Sequence, residues 1–190
     1  MRVLVACERS GVVRNAFLAR GHDAVSVDLA ASEVQGPHIV GDALLAARSE
    51  PWDMMLAFPP CTHLAISGAR WFPAKRANGR QQAALQFVRD LMAVPIPRIA
   101  IENPVGIISS QIRRPDQIIQ PWQFGEDASK KTCLWLQDLP PLMTTGVIVK
   151  ARYANQTASG QNKLGPSPTR AIERSRTYDG IADAMAAQWG

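Results

Sequence analysis

Residues 2–28 read RVLVACERSGVVRNAFLARGHDAVSVD, and the fold is decided there. Arg2–Cys7 is a short apolar run of the kind that makes a buried strand. Ser10-Gly11 opens a helix that continues to about Ala19, where Gly21 stops it. Ala24–Asp28 is a second apolar run, and it closes on a carboxylate. Strand, helix and strand in such quick succession start an α/β sheet with parallel neighbours.

The pattern repeats outward from this unit. His38–Val40 is a short third strand, followed by Gly41-Asp42 and a helical turn. Trp52–Phe58 is a fourth strand, broken by Pro59-Pro60, and residues 80–93 put Leu85, Val88, Leu91 and Met92 on one helical face. Arg98–Glu102 is a fifth strand, closing on Glu102-Asn103. Gln117–Phe124 and Thr132–Leu136 are expected to form an antiparallel hairpin across Gly125–Lys131. From Ala154 to Arg170 the chain is rich in Gly, Ser, Thr, Asn and Pro and reads as a long loop. Ile181, Met185 and Trp189, four residues apart, indicate a docked C-terminal helix. With no internal repeat, residues 1–190 are expected to be one catalytic domain. In open α/β sheets ligands bind at the carboxyl ends of the strands, where Glu8, Asp28, Asp42, Pro59-Pro60-Cys61 and Glu102-Asn103 all fall.

Composition removes several classes of function. The 190 residues are 46% hydrophobic and 19% charged, the profile of a globular protein and not of a disordered tail or coiled coil. No apolar run approaches the ~18 residues of a membrane span. Only Val3–Cys7 precede Glu8 and Arg9, too short a core for an export signal, so a cytoplasmic location is expected. Cys7, Cys61 and Cys133 are odd in number and far apart, which argues against a disulfide framework, and no Cys-x-x-Cys pair points to a metal. The net charge of +5 favours an anionic partner. Between Thr62 and Val88 there is no acidic residue, while Arg70, Lys75, Arg76 and Arg80 surround Trp71 and Phe72 or follow them. Lys163, Arg170, Arg174 and Arg176 form a second basic stretch. Both are expected to contact phosphates.

Two motifs at strand ends carry the chemistry, Phe58-Pro59-Pro60-Cys61 and Ile101-Glu102-Asn103. On these the chain resembles the cytosine-C5 DNA methyltransferases, from Arg2 to about Leu136 and again in the last helix. The resemblance implies a Rossmann-like fold, mostly parallel with a C-terminal antiparallel hairpin, and S-adenosylmethionine as cofactor. It implies transfer of methyl to C5 of cytosine, probed through a thiolate because C5 is a poor nucleophile. Addition of Cys61 to C6 breaks the aromaticity and makes C5 reactive. Glu102 then serves as acid or hydrogen-bond partner at N3. Amino-group methyltransferases usually carry Asp, Asn or Ser before the two prolines and an aromatic after them, whereas here Phe58 and Cys61 stand at those places.

The resemblance also implies a cofactor site. Glu8, Ser10 and Gly11 lie at the first strand-to-helix turn, where the family has Phe-x-Gly-x-Gly and only Gly11 keeps a glycine. Amides there are expected to bind a carboxylate. Asp28 is expected at the ribose, Asp42 at the adenine amino group, and Pro59 beside the cofactor. Pro60, Asn103 and Lys130 are expected to touch substrate, with Arg70, Lys75, Arg76 and Arg80 in a loop, roughly Thr62–Gly79, closing over an extruded base. The family's Gln-x-Arg-x-Arg motif has no clean copy. Ser129-Lys130-Lys131-Thr132 stands in its place, with Lys131 as the catalytic cation, and Gln111 with Arg113 is a rival match. The usual recognition region of ~100 residues is missing, since only Gln137 to about Arg176 is available. DNA, duplex or single-stranded, is the expected partner of a monomer or dimer. The same chemistry on a free nucleotide such as dCMP is the first alternative, and a non-catalytic DNA-binding module with this fold is the second.

Overall fold

The computed structural model describes residues 1–165, 167 and 170–190, with the side chains of residues 170–172 excepted. Seven strands form one sheet: β1 (Arg2–Ala6), β2 (Asp23–Asp28), β3 (His38–Val40), β4 (Met54–Ala57), β5 (Arg98–Pro104), β6 (Gln117–Ile119) and β7 (Thr132–Gln137). Their order is β3-β2-β1-β4-β5-β7-β6. The first five are parallel, and β7 runs antiparallel between β5 and β6. The expected hairpin is therefore present, with its second strand inserted against β5. That insertion lengthens β5 beyond Glu102, because Asn103 and Pro104 find partners in Cys133 and Thr132, and the single turn of α5 (Ile108–Gln111) follows.

Side chains alternate across the sheet, as the period of two requires. Leu4, Ala6, Met55, Ala57, Ile99 and Ile101 face a core completed by α2 (Ala43–Ser49) and α4 (Arg80–Met92). Val3, Val5, Met54, Leu56 and Ala100 face the other way, onto α1 (Val12–Leu18) and α7 (Asp179–Trp189). Both faces are covered, which is why the central strands read as unbroken apolar runs. Ile181, Met185 and Trp189 of α7 are all buried against this second core. Among the described residues no helix is long and apolar enough to cross a membrane.

Two connections differ from expectation. The segment after Cys61 is not an open loop: it forms 3-10 turns at Cys61–His63 and Ile66–Trp71, then α3 (Phe72–Ala77). Gly68 and Pro73 interrupt its periodicity, which hid these short turns from the sequence pattern. In the loop from Ala154 to Arg170, residues 166, 168 and 169 lie outside the described residues, and Gln156 and Asn162 form a bridge. It leads into α6 (Arg170–Ser175), of which the Arg170 side chain is likewise outside the described residues.

Candidate active site

The carboxyl ends of β1, β2, β4 and β5 share one edge of the sheet, and three cavities adjoin there. The first, of 520 Å³, is walled by Asp28, Leu29, Asp42, Phe87 and Arg80. The second, of 270 Å³, is walled by Arg9, Ser10, Glu33, Phe58 and Arg176, and Cys7, Asp28 and Pro60 border both. The third, of 380 Å³, holds Lys130, Lys131, Asn162, Arg174 and Tyr178, and meets the second at Cys61 and Arg176. Cys61 thus stands where a cavity lined by charges of both signs meets a cation-rich one.

The turn after β1 is built around a buried carboxylate. Cys7 has φ 58, a left-handed conformation unusual for a residue with a side chain, and it swings the chain out of the strand. Glu8 then points inward, accepting hydrogen bonds from the amides of Val13 (2.7 Å) and Arg14 (3.2 Å) and from the Ser10 hydroxyl (3.3 Å). Burial pushes the Glu8 carboxyl up from its ordinary range, against the pull of these bonds. The amides expected to receive a ligand carboxylate are consequently filled by the chain itself. Glu8 and Ser10 border the second cavity, but the Glu8 carboxylate is committed to α1. Gly11 has φ 72, and a Cβ there would meet the Arg14 guanidinium at 2.5 Å, so the turn itself requires glycine; Gly11 borders none of the three cavities.

Arg14 is a residue that the pattern missed. It is fully buried, and its guanidinium donates to the side chains of Asn15, Ser26 and Ser32 and to the carbonyls of Val34, Gln35 and Pro37. These bonds brace the loop that follows Asp28. Asp28 itself accepts from the Ala30 amide at 2.9 Å and borders both the first and second cavities. Asp42 caps α2, with both bonds, from Leu44 (2.7 Å) and Leu45 (3.0 Å), on one carboxylate oxygen, and it too borders the first cavity.

The second motif anchors the first. Asn103 is buried and donates to the Pro59 carbonyl at 2.7 Å, fastening β5 to the turn that carries Cys61. Asn103 was expected at the substrate and Pro59 at the cofactor; the Nδ2 of the one is bonded to the carbonyl of the other, while the Asn103 Oδ1 is buried with no hydrogen-bond partner among the described residues. Pro60 borders the first two cavities and not the third, on the opposite side from its expected place.

Around Cys61 the charges are mixed. Burial pushes its thiol up, the Glu102 charge adds to this, and Lys130 and Arg174 oppose it. Burial raises the Glu102 carboxyl, while Lys130 and the nearby Thr132 hydroxyl, which donates to the Lys130 carbonyl at 3.1 Å, pull the other way. Lys130 donates to the carbonyls of Arg174 (2.9 Å) and Arg176 (3.4 Å), tying the end of α6 to β7. The cation beside Cys61 and Glu102 is therefore Lys130, joined by Arg174. Lys131, expected as the catalytic cation, is exposed, and its charge acts on Cys133. Both lysines border the third cavity, Lys130 half-buried and Lys131 exposed. The rival Arg113 is bonded to Asp116 and the Leu136 carbonyl.

The basic residues after Cys61 do not form one face. Arg70 stacks on the exposed Trp71 ring at 4.9 Å, and Lys75 donates to the Thr62 carbonyl. Arg76 borders a separate cavity with Gln82 and Arg89, and Arg80 borders the first cavity.

Glu102 has a consequence for stability. A carboxyl whose folded pKa is raised contributes stability that is present below its unfolded value, ordinarily near 4.5, and lost as pH rises through the folded value. Glu102→Gln is expected to be more stable than the parent at neutral pH, the gap closing as pH falls towards about 4.5. Thermal unfolding of both proteins between pH 4 and 8 checks this; a gap independent of pH would contradict it.

No protein-family model matches this chain, and no curated protein matches it. Among solved structures it is similar to an Escherichia coli protein encoded within a prophage and provisionally described as a DNA modification methyltransferase. The TM-score is 0.55 and the identity 14%, over 78% of this chain and 52% of that one, so the chain spans about half the length of that protein. At this identity the likeness is one of architecture: the chain has a Rossmann-like, mostly parallel α/β fold similar to that of this solved structure.

Proposed function

We propose that the chain transfers a methyl group from S-adenosylmethionine to C5 of cytosine in DNA, with Cys61 as nucleophile. The observation that carries this reading is Cys61 at the junction of the second and third cavities, with Glu102 as its charged neighbour. The residues fit the cofactor. The first cavity offers an apolar wall with two carboxylates, suited to a nucleoside, and continues past Asp28 into the second. Bound there, against Asp28 and Asp42, the cofactor would supply an electrophilic methyl group.

The side chains then divide the work. Cys61, held by the Asn103–Pro59 bond, adds its sulfur to C6, and Lys130 with Arg174 favours the thiolate that does so. Glu102, whose carboxyl burial pushes up from its ordinary range, is the group that offers a proton or hydrogen bond at N3 as electron density moves there. After C5 gains the methyl, its proton leaves to water, the C6–sulfur bond breaks and Cys61 is released. Glu102→Gln keeps a hydrogen bond but loses the proton, and is expected to slow transfer by roughly 100-fold.

A second reading is favoured by the third cavity, whose 380 Å³ and four cations suit a single nucleotide. In that case the substrate is free dCMP or a similar cytosine nucleotide. The protein is incubated with radiolabelled S-adenosylmethionine and, separately, duplex DNA, single-stranded DNA and dCMP. Label in DNA is expected. Label in dCMP alone selects the second reading, and label nowhere leaves a DNA-binding module without catalysis.

A further inference from the structure

We propose that Arg9, Glu33 and Arg176 form the subsite for the α-amino acid end of the cofactor, an inference that rests on the methyltransferase reading. The amides that could receive a carboxylate at the start of α1 are already taken. Val13 and Arg14 donate to Glu8, and Val12 donates to Ser10 at 3.4 Å. A zwitterionic ligand entering the second cavity must find its counter-charges elsewhere on the wall.

They are present there. Glu33, in the loop braced by Arg14, faces Arg176 with Nε at 3.1 Å and Arg9 with Nε at 3.8 Å. All three border the 270 Å³ cavity. The Glu33 amide also donates to the Arg9 carbonyl at 2.9 Å, which fixes the loop against the turn. An α-amino acid needs a cation for its carboxylate and an anion for its ammonium, and this wall offers both. The arginine side chains are 44% and 54% exposed, so their pairs with Glu33 add little to the fold and re-form readily around a ligand. Glu33, at 16%, is the fixed member. The ligand carboxylate lies between the two guanidiniums, and the ammonium lies on Glu33. Arg176 also borders the third cavity, so the same residue joins the cofactor end to the substrate chamber.

Calorimetry with two probes tests this. S-adenosylhomocysteine carries the amino acid end, and 5′-methylthioadenosine lacks it. The parent is expected to prefer the first by roughly tenfold or more. Arg176→Ala and Glu33→Gln are each expected to weaken S-adenosylhomocysteine about tenfold and to leave 5′-methylthioadenosine within twofold. Retained binding of the second probe reports an intact fold. Variants that keep the parental ratio, or that weaken both probes equally, overturn the subsite alone. A parent that binds neither probe overturns the methyltransferase reading and the subsite with it.

Discussion

Replacing Cys61 by Ser is expected to lower methyl transfer by at least about a thousandfold and to leave S-adenosylhomocysteine affinity within a few-fold. A hydroxyl is far less acidic than a thiol, and the two cations opposite Cys61 stabilise a thiolate but remove no proton from an alcohol. Cofactor binding survives because Cys61 only borders the second cavity, whose other walls are unchanged. Steady-state kinetics and calorimetry on the same preparation check both halves. A Cys61→Ser protein with more than a tenth of parental activity would show that the thiol is not the nucleophile.

The largest effect on stability is expected at Arg14. Its side chain is wholly enclosed and satisfies six acceptors drawn from α1, β2 and the loop to Pro37. Arg14→Ala removes several hydrogen bonds to the braced loop, each worth roughly 1 kcal/mol, and leaves a cavity where the enclosed side chain stood, at a cost of about 3–5 kcal/mol. Against a total stability of roughly 5–15 kcal/mol, that loss is large. Lysine is expected to recover little, since one ammonium cannot reproduce the planar fork. Urea unfolding of the three proteins measures the difference. A loss below about 1 kcal/mol would mean that the loop after Asp28 is held by something else.

Most of the sheet was legible in the sequence because strands covered on both faces leave continuous apolar runs, as in Val3–Ala6 and Met54–Ala57. The motif positions were legible for a related reason, since polar residues that follow such runs fall on one sheet edge. Side-chain direction was not. Glu8 at a strand end reads the same whether it meets a ligand or caps its own helix, and here it caps. Lys130 and Lys131 are neighbours that border the same cavity, and only the packing shows that Lys130 is the more buried and the one whose charge reaches Cys61. Arg14 did leave a signal: Val13, Arg14, Ala16 and Phe17 are the buried residues of α1, and a charge among them implies a built partner set. Glu33 and Arg176 are 143 residues apart, and only the fold brings them together.

The central claim is a covalent bond between Cys61 and cytosine C6. Cytosine bearing fluorine at C5 cannot release that substituent after methyl transfer, so the bond should persist. The protein is mixed with S-adenosylmethionine and whichever substrate accepts label, carrying 5-fluorocytosine at the acceptor position, then digested and analysed by mass spectrometry. The expected result is a methylated nucleotide adduct on the peptide that contains Cys61, absent from Cys61→Ser. An adduct on Cys7 or Cys133, or methyl transfer to ordinary cytosine with no adduct from the fluorinated substrate, would contradict it.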